Sequence, residues 1–185
     1  SQQSPKNKPG PIPGGYNQAA EIGPHPRHRV NFSVVTNGWG EATLRTNSYV
    51  EIQTGLNYPK DGRWLESQEV IAKTEAGHAA AQKGLHKITL ASNLNTDGGI
   101  ELQMPDGNVL RSHVLGLIYF DAASGRSVAL ANVRDAVGEI IPPNQVVYRN
   151  AFVGLKADVR YTYSKGGLEQ DIILLEEPKP PEDFA

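Results

Sequence analysis

The stretch from Leu155 to Leu175, LKADVRYTYSKGGLEQDIILL, constrains this chain more than any other. Val159, Tyr161 and Tyr163 alternate with Asp158, Arg160 and Thr162. A period of two puts the apolar side chains on one face and the polar ones on the other, as in a strand with one covered side. Ser164-Lys165-Gly166-Gly167 follows and offers the positive-φ positions that a tight reversal needs. In the return run, Leu168, Gln170, Ile172 and Leu174 oppose Glu169, Asp171, Ile173 and Leu175, so its end is apolar on both faces and predicts a strand entering a covered core. The hairpin needs further strands beside it.

Those strands are legible on its amino-terminal side. Val30, Phe32 and Val34 alternate with Asn31 and Ser33 until Asn37-Gly38-Trp39-Gly40 breaks the run. Ala42 to Thr46 and Tyr49 to Gln53 read as two short strands, and Pro59-Lys60-Asp61-Gly62 is a turn set that places Tyr58 and Trp64 across a hairpin. Residues 66–83, rich in Ala, Glu, Gln and Lys, are the one place where a helix competes. Gly77 weakens it, and a strand, a Glu-Ala-Gly turn and a second strand fit the spacing better. Leu85 to Ala91 is a strand, and Asn93 to Gly99 a loop. Ile100 to Met104 pairs with a long arm from Val109 to Phe120, whose end is expected to be buried on both sides, with Gly116 at a bulge or close crossing. Ser127 to Val133, Glu139 to Ile141 and Gln145 to Phe152 complete the series.

Short strands with turn signals between them predict an all-β chain, an antiparallel β-sandwich or related two-sheet fold. Its ends are proline-rich: KPGPIPGG and GPHPRH lie near the start, EEPKPPEDFA at the finish. Proline fixes φ and removes donors, so these segments read as extended tails. The boundaries expected are an arm over 1–28, a sandwich-like domain over 29–177 and an exit linker over 178–185. The 185 residues fit one such domain, or a pair of small β modules, with one core the simpler arrangement.

Composition removes several classes of function. Eighteen basic against twenty acidic side chains, a formal charge of −2, provide no long-range field for nucleic acid or an anionic membrane. Cysteine is absent, and with it disulfides, thiolate metal sites and cysteine nucleophiles. No apolar run approaches the roughly 20 residues that span a bilayer. The start at Ser1 reads as a processed or trimmed amino terminus.

Candidate chemistry is sparse. His25 and His28 have no further ligands nearby, and His78, His86 and His113 fall on separate strands, so no metal or other cofactor is expected. Asp97-Gly98-Gly99 and Asp106-Gly107-Asn108 are turn sequences without a calcium-loop pattern. Acidic pairs such as Glu51/Glu66 or Glu69/Glu101 are what a glycan-active hydrolase would need, but any polar sheet face produces such pairs. No nucleophile elbow surrounds Ser112 or Ser124, so no catalytic residue is assigned. Aromatics offer more. Trp39, flanked by glycines, and Trp64 and Tyr58 are the candidates for a carbohydrate- or partner-binding surface, although most aromatics here alternate with core residues. Val30, Phe32 and Val34, following a long arm, form a strand that is free to reach a neighbour's sheet edge.

Two stretches carry a family resemblance. LNYPKDGRWLESQEVI, with Asn57, Tyr58, Asp61, Gly62 and Trp64, and NQVVYRNAFVGLKADVRYTYSKGGLEQDIILLEEP, with Tyr148, Phe152, Gly154, Asp158 and Tyr161, resemble the amino-terminal β-rich region of large exported bacterial wall-associated, YD-repeat (Rhs-like) surface proteins. The resemblance implies a secreted or cell-surface, non-catalytic structural or adhesive module, whose partners are other copies or a downstream region of the same polypeptide. No YD repeats occur in this chain. The alternatives are a carbohydrate-binding module and the glycan-active hydrolase.

Overall fold

The computed structural model describes residues 16–18, 23–36, 39–179 and 181. The described residues contain no helix; every paired strand is antiparallel, in the all-β class that the alternation predicts. The chain divides after Leu65 into two compact units, Ser1–Leu65 and Glu66–Ala185.

The second unit is the sandwich. Strands β6 (Ala72–Lys73), β7 (Ala79–Ala81), β8 (Lys87–Leu90), β9 (Ile100–Gln103) and β10 (Val109–Ser112) form a five-stranded sheet in the order β10-β9-β8-β7-β6. Strands β13 (Gly138–Ile141), β14 (Gln145–Tyr148), β15 (Ala157–Ser164) and β16 (Gly167–Leu174) form a meander of four. A separate hairpin, β11 (Gly116–Asp121) with β12 (Arg126–Asn132), joins them in sequence. One apolar cluster draws Ala81, Ile88 and Leu90 from the first sheet and Val146, Tyr148, Val159, Tyr161 and Tyr163 from the second. The stretch where a helix competes is strand, turn, strand: Gly77 sits at φ +85° and donates to Thr74 O, which closes the reversal between β6 and β7.

Polar groups tie the sheets together at both ends of β8. The Tyr163 hydroxyl donates to His86 O at 2.7 Å, and the Tyr148 hydroxyl donates to Ala91 O at 2.6 Å. The two tyrosines therefore bracket the strand while their rings fill the core, where Tyr148 and Tyr161 meet edge to face with centroids 6.1 Å apart. The corner between β14 and β15 is fixed by Asp158, a buried carboxylate that accepts from the Asn150 amide at 2.7 Å, where Asn150 takes φ +50°.

In the second unit three expectations need correction. The end of β16 is not covered: Leu174 and Leu175 are exposed, because β16 is the outer strand of its sheet. The arm from Val109 to Phe120 is two strands, broken at His113–Leu115, with β10 and β11 in different sheets. Its end is therefore open, with Ile118 and Phe120 exposed on a two-stranded hairpin. Gly116 does sit at a close crossing, since a Cβ there would lie 2.5 Å from Ala131 O, and a register shift follows between Leu117 and Ile118.

In the first unit, β1 (Tyr16–Gln18), β2 (Pro26–Thr36) and β3 (Ala42–Ile52) form a sheet in that order, and β4 (Asn57–Lys60) pairs with β5 (Arg63–Glu66). The two short strands read between Ala42 and Gln53 are one strand, and both β1 and the beginning of β2 lie inside the stretch read as an extended arm. The rest of that arm, residues 1–15 and 19–22, and most of the exit linker fall outside the described residues. Asp61 and Gly62, at φ 51° and 73°, make the reversal between β4 and β5, the pair of positive-φ residues that a type I′ hairpin loop uses.

Candidate binding surface

The β2–β3 ribbon carries the surface with the clearest chemistry. Its pairing runs through eleven residue pairs, from Pro26↔Ile52 to Thr36↔Ala42, without a register shift, a length of about 33 Å at ~3.3 Å per residue. Residues directly opposite share a face in an antiparallel pair. One face therefore carries Pro26/Ile52, His28/Val50, Val30/Ser48, Phe32/Thr46, Val34/Leu44 and Thr36/Ala42; the other carries Arg27/Glu51, Arg29/Tyr49, Asn31/Asn47 and Ser33/Arg45, with Val35/Thr43 at its outer end. The ribbon is amphipathic. Its apolar face is open, with Val34 55%, Leu44 52%, Val50 49% and Ile52 78% exposed.

The base of the ribbon is held by a polar knot that sequence reasoning missed. Asn57, fully buried, donates its side-chain amide to Gly23 O and Pro26 O, both at 2.8 Å, and its backbone N–H to Pro24 O. Arg27, 1% exposed, donates to Leu56 O at 2.7 Å and lies 3.8 Å from Glu51, which also pairs with Arg29 at 3.3 Å. The His25 Nδ1 accepts from the Gly55 amide. Thus the Asn57-Tyr58…Asp61-Gly62 stretch acts through structure: Asn57 ties two segments together, and Asp61-Gly62 turn the chain.

The aromatic candidates do not form one surface. Trp39 lies beyond the outer end of the ribbon, 92% exposed, whereas Tyr58 follows the knot at its base and is 8% exposed. Trp64 is half-buried on β5. The ribbon's length keeps Trp39 away from Tyr58, and burial removes Tyr58 as a stacking platform. Val30, Phe32 and Val34, expected as a strand for a neighbour, are paired within the chain to Ser48, Thr46 and Leu44. Among the described residues β3 has no strand on its outer side along its whole length, and β2 is open on its outer side beyond Asn31, where its pairing with the short β1 ends. The signal that could have found it is the alternation of Leu44, Thr46, Ser48, Val50 and Ile52, which is continuous through the break assumed at Asn47-Ser48.

The other polar candidates are engaged in structure. Glu101 pairs with Arg111 at 3.0 Å across β9 and β10, and Glu69 accepts from the Lys165 amide at 2.9 Å. His78 accepts from the Ser92 amide and His113 from that of Gly98. Asp121 and Asp135 are held below the usual carboxylate range, Asp121 by the Ser124 hydroxyl and the Ala123 amide, Asp135 by the side-chain amides of Asn93 and Asn95. Burial raises the Tyr148 and Tyr161 hydroxyls and pushes that of Tyr163 up to about 12, so all three stay protonated donors at neutral pH. Among the described residues, no three His, Asp or Glu side chains gather as a metal site, and no helix is long and apolar enough to cross a membrane. Comparison with known proteins found no matching family model, no matching curated protein and no matching solved structure.

Proposed function

We propose that the chain is a non-catalytic structural or adhesive module of an exported bacterial surface protein, in which the β2–β3 ribbon engages other protein. The observation that carries this is the open apolar face of the ribbon. Beyond Asn31 no third strand supports it among the described residues, and a two-stranded ribbon with an uncovered apolar face gains most by packing on a partner. Export and surface location rest on the resemblance of the Asn57–Trp64 and Tyr148–Tyr161 stretches to wall-associated, YD-repeat proteins. Sedimentation of the full chain over a concentration series is expected to show reversible self-association that weakens when Val34 and Leu44 are both replaced by Glu. A chain that stays monomeric throughout, or one that hydrolyses a glycan, ester or peptide in a manner abolished by one carboxylate or serine substitution, overturns the reading.

The exposure of Trp39 favours a second reading, a carbohydrate-binding module. In that case Trp39→Ala removes retention on insoluble polysaccharide and leaves the melting curve unchanged, because the ring contributes almost no burial.

A further inference from the structure

We infer that two copies of the chain pair through the free edge of β3, antiparallel about a two-fold axis at Ser48, to make one continuous sheet across both ribbons. The inference rests on the reading of the ribbon as an association element and specifies its partner and register. Three features of β3 point to it. The strand is the outer one of its sheet among the described residues, so its outward N–H and C=O groups have no strand beside them. It has no proline, no lysine and no bulge from Ala42 to Ile52 to block an edge, its pairing with β2 is regular along its whole length, and its only charges are one of each sign, Arg45 and Glu51. Finally, its sequence is complementary to itself in one register.

Centred on Ser48, residue 48 − k of one copy faces residue 48 + k of the other. Leu44 then meets Ile52 and Thr46 meets Val50 on the apolar face; on the polar face Arg45 meets Glu51, and Asn47 meets Tyr49. The two-fold axis generates each pair twice, so two opposite-charge pairs close the interface. Moving the centre by one residue loses this. About Asn47 the guanidinium of Arg45 faces Tyr49, and about Tyr49 the carboxylate of Glu51 faces Asn47. Both Arg45 and part of Glu51 are accessible, and a carboxylate already held by Arg27 and Arg29 has lone pairs left for a third cation. A centre on a residue also keeps the apolar faces on the same side, because opposite residues of an antiparallel pair point the same way. The exposed Val34, Leu44, Val50 and Ile52 of both ribbons then form one surface of doubled width.

The absence of cysteine makes the register directly testable. In the Ser48-centred pair, the two Ser48 Cα atoms lie about 4.5–5.5 Å apart, inside the roughly 4.4–6.8 Å that a disulfide spans, whereas the two Thr46 residues are separated by roughly 13 Å along the strands. Mild oxidation of full-length Ser48→Cys is expected to convert it to a covalent dimer, while Thr46→Cys stays largely monomeric. Arg45→Glu, an exposed substitution, is expected to lower self-association at least tenfold in sedimentation without changing the far-ultraviolet circular dichroism. If the two cysteine variants cross-link equally, or if association survives Arg45→Glu but is lost on Val34→Glu, the β3 pairing is wrong and the broader association reading stands. A chain that remains monomeric at every concentration overturns both.

Discussion

Replacing Tyr148 by Phe tests whether the tyrosine hydroxyls hold the two sheets of the second unit together. The ring stays in place and only the donor to Ala91 O is lost, at a site where Tyr148 is 1% and Ala91 7% exposed. The bond is buried, so the change forfeits a net hydrogen bond and leaves a buried acceptor without that donor, together about 2 kcal/mol. Tyr163→Phe removes the donor to His86 O, where burial is less complete, and is expected to cost about 1–2 kcal/mol. Tyr161→Phe is the internal control. Its hydroxyl donates to the Gln170 side chain at 2.7 Å, and that exposed amide can turn to solvent, so the expected cost is about 0.5–1 kcal/mol. Urea denaturation followed by near-ultraviolet circular dichroism measures all three. Because His86 and Ala91 are roughly 16 Å apart along an extended chain, the Tyr148→Phe/Tyr163→Phe double variant should equal the sum within about 0.5 kcal/mol. The reasoning fails if Tyr161→Phe costs as much as Tyr148→Phe, or if the double variant costs no more than one single.

Asn57→Ala removes two buried donors from the ribbon's base and is expected to cost about 2–3 kcal/mol; Asn57→Asp, which sets a carboxylate against two carbonyls, should cost more. Tryptophan emission in urea reads this, since Trp39 and Trp64 both lie in the first unit. At the β15–β16 reversal only Gly167 has a positive φ, +151°, so Gly167→Ala should cost about 1–2 kcal/mol and Gly166→Ala little, with equal losses contradicting the turn geometry. Stability should also fall in alkali. The folded hydroxyls of Tyr148, Tyr161 and Tyr163 are raised above the ordinary value of 10.0, so between pH 10 and about 12 the folded chain binds more protons than the unfolded one. Their contribution is complete below pH 10 and is lost above it at about 1.4 kcal/mol per pH unit for each tyrosine. Urea midpoints unchanged from pH 9 to 11.5 would contradict that burial.

Much of the local structure was present in the sequence itself, because period-two alternation and turn chemistry act over a few residues. Val159, Tyr161 and Tyr163 are buried on one face of β15 as their spacing requires, Asp61-Gly62 and Gly77 turn the chain, and the all-β class follows. What alternation cannot specify is whether a face is covered, since that depends on which element lies against it. Leu174, Ile118 and Phe120 are as apolar as Leu90 and Val159, yet they end exposed because β16 is an outer strand and β11 belongs to a two-stranded hairpin. The same limit applies to the candidate surface. The sequence contains both arms of the ribbon, but only their pairing, anchored at the base by Arg27 and Asn57, determines that Val30, Phe32 and Val34 meet β3 and that β3 keeps an open outer side along its whole length among the described residues. Burial likewise separates Tyr58 from Trp39, two aromatics that look equivalent in the chain: one follows a buried asparagine knot, and the other lies beyond the end of a ribbon, 92% exposed.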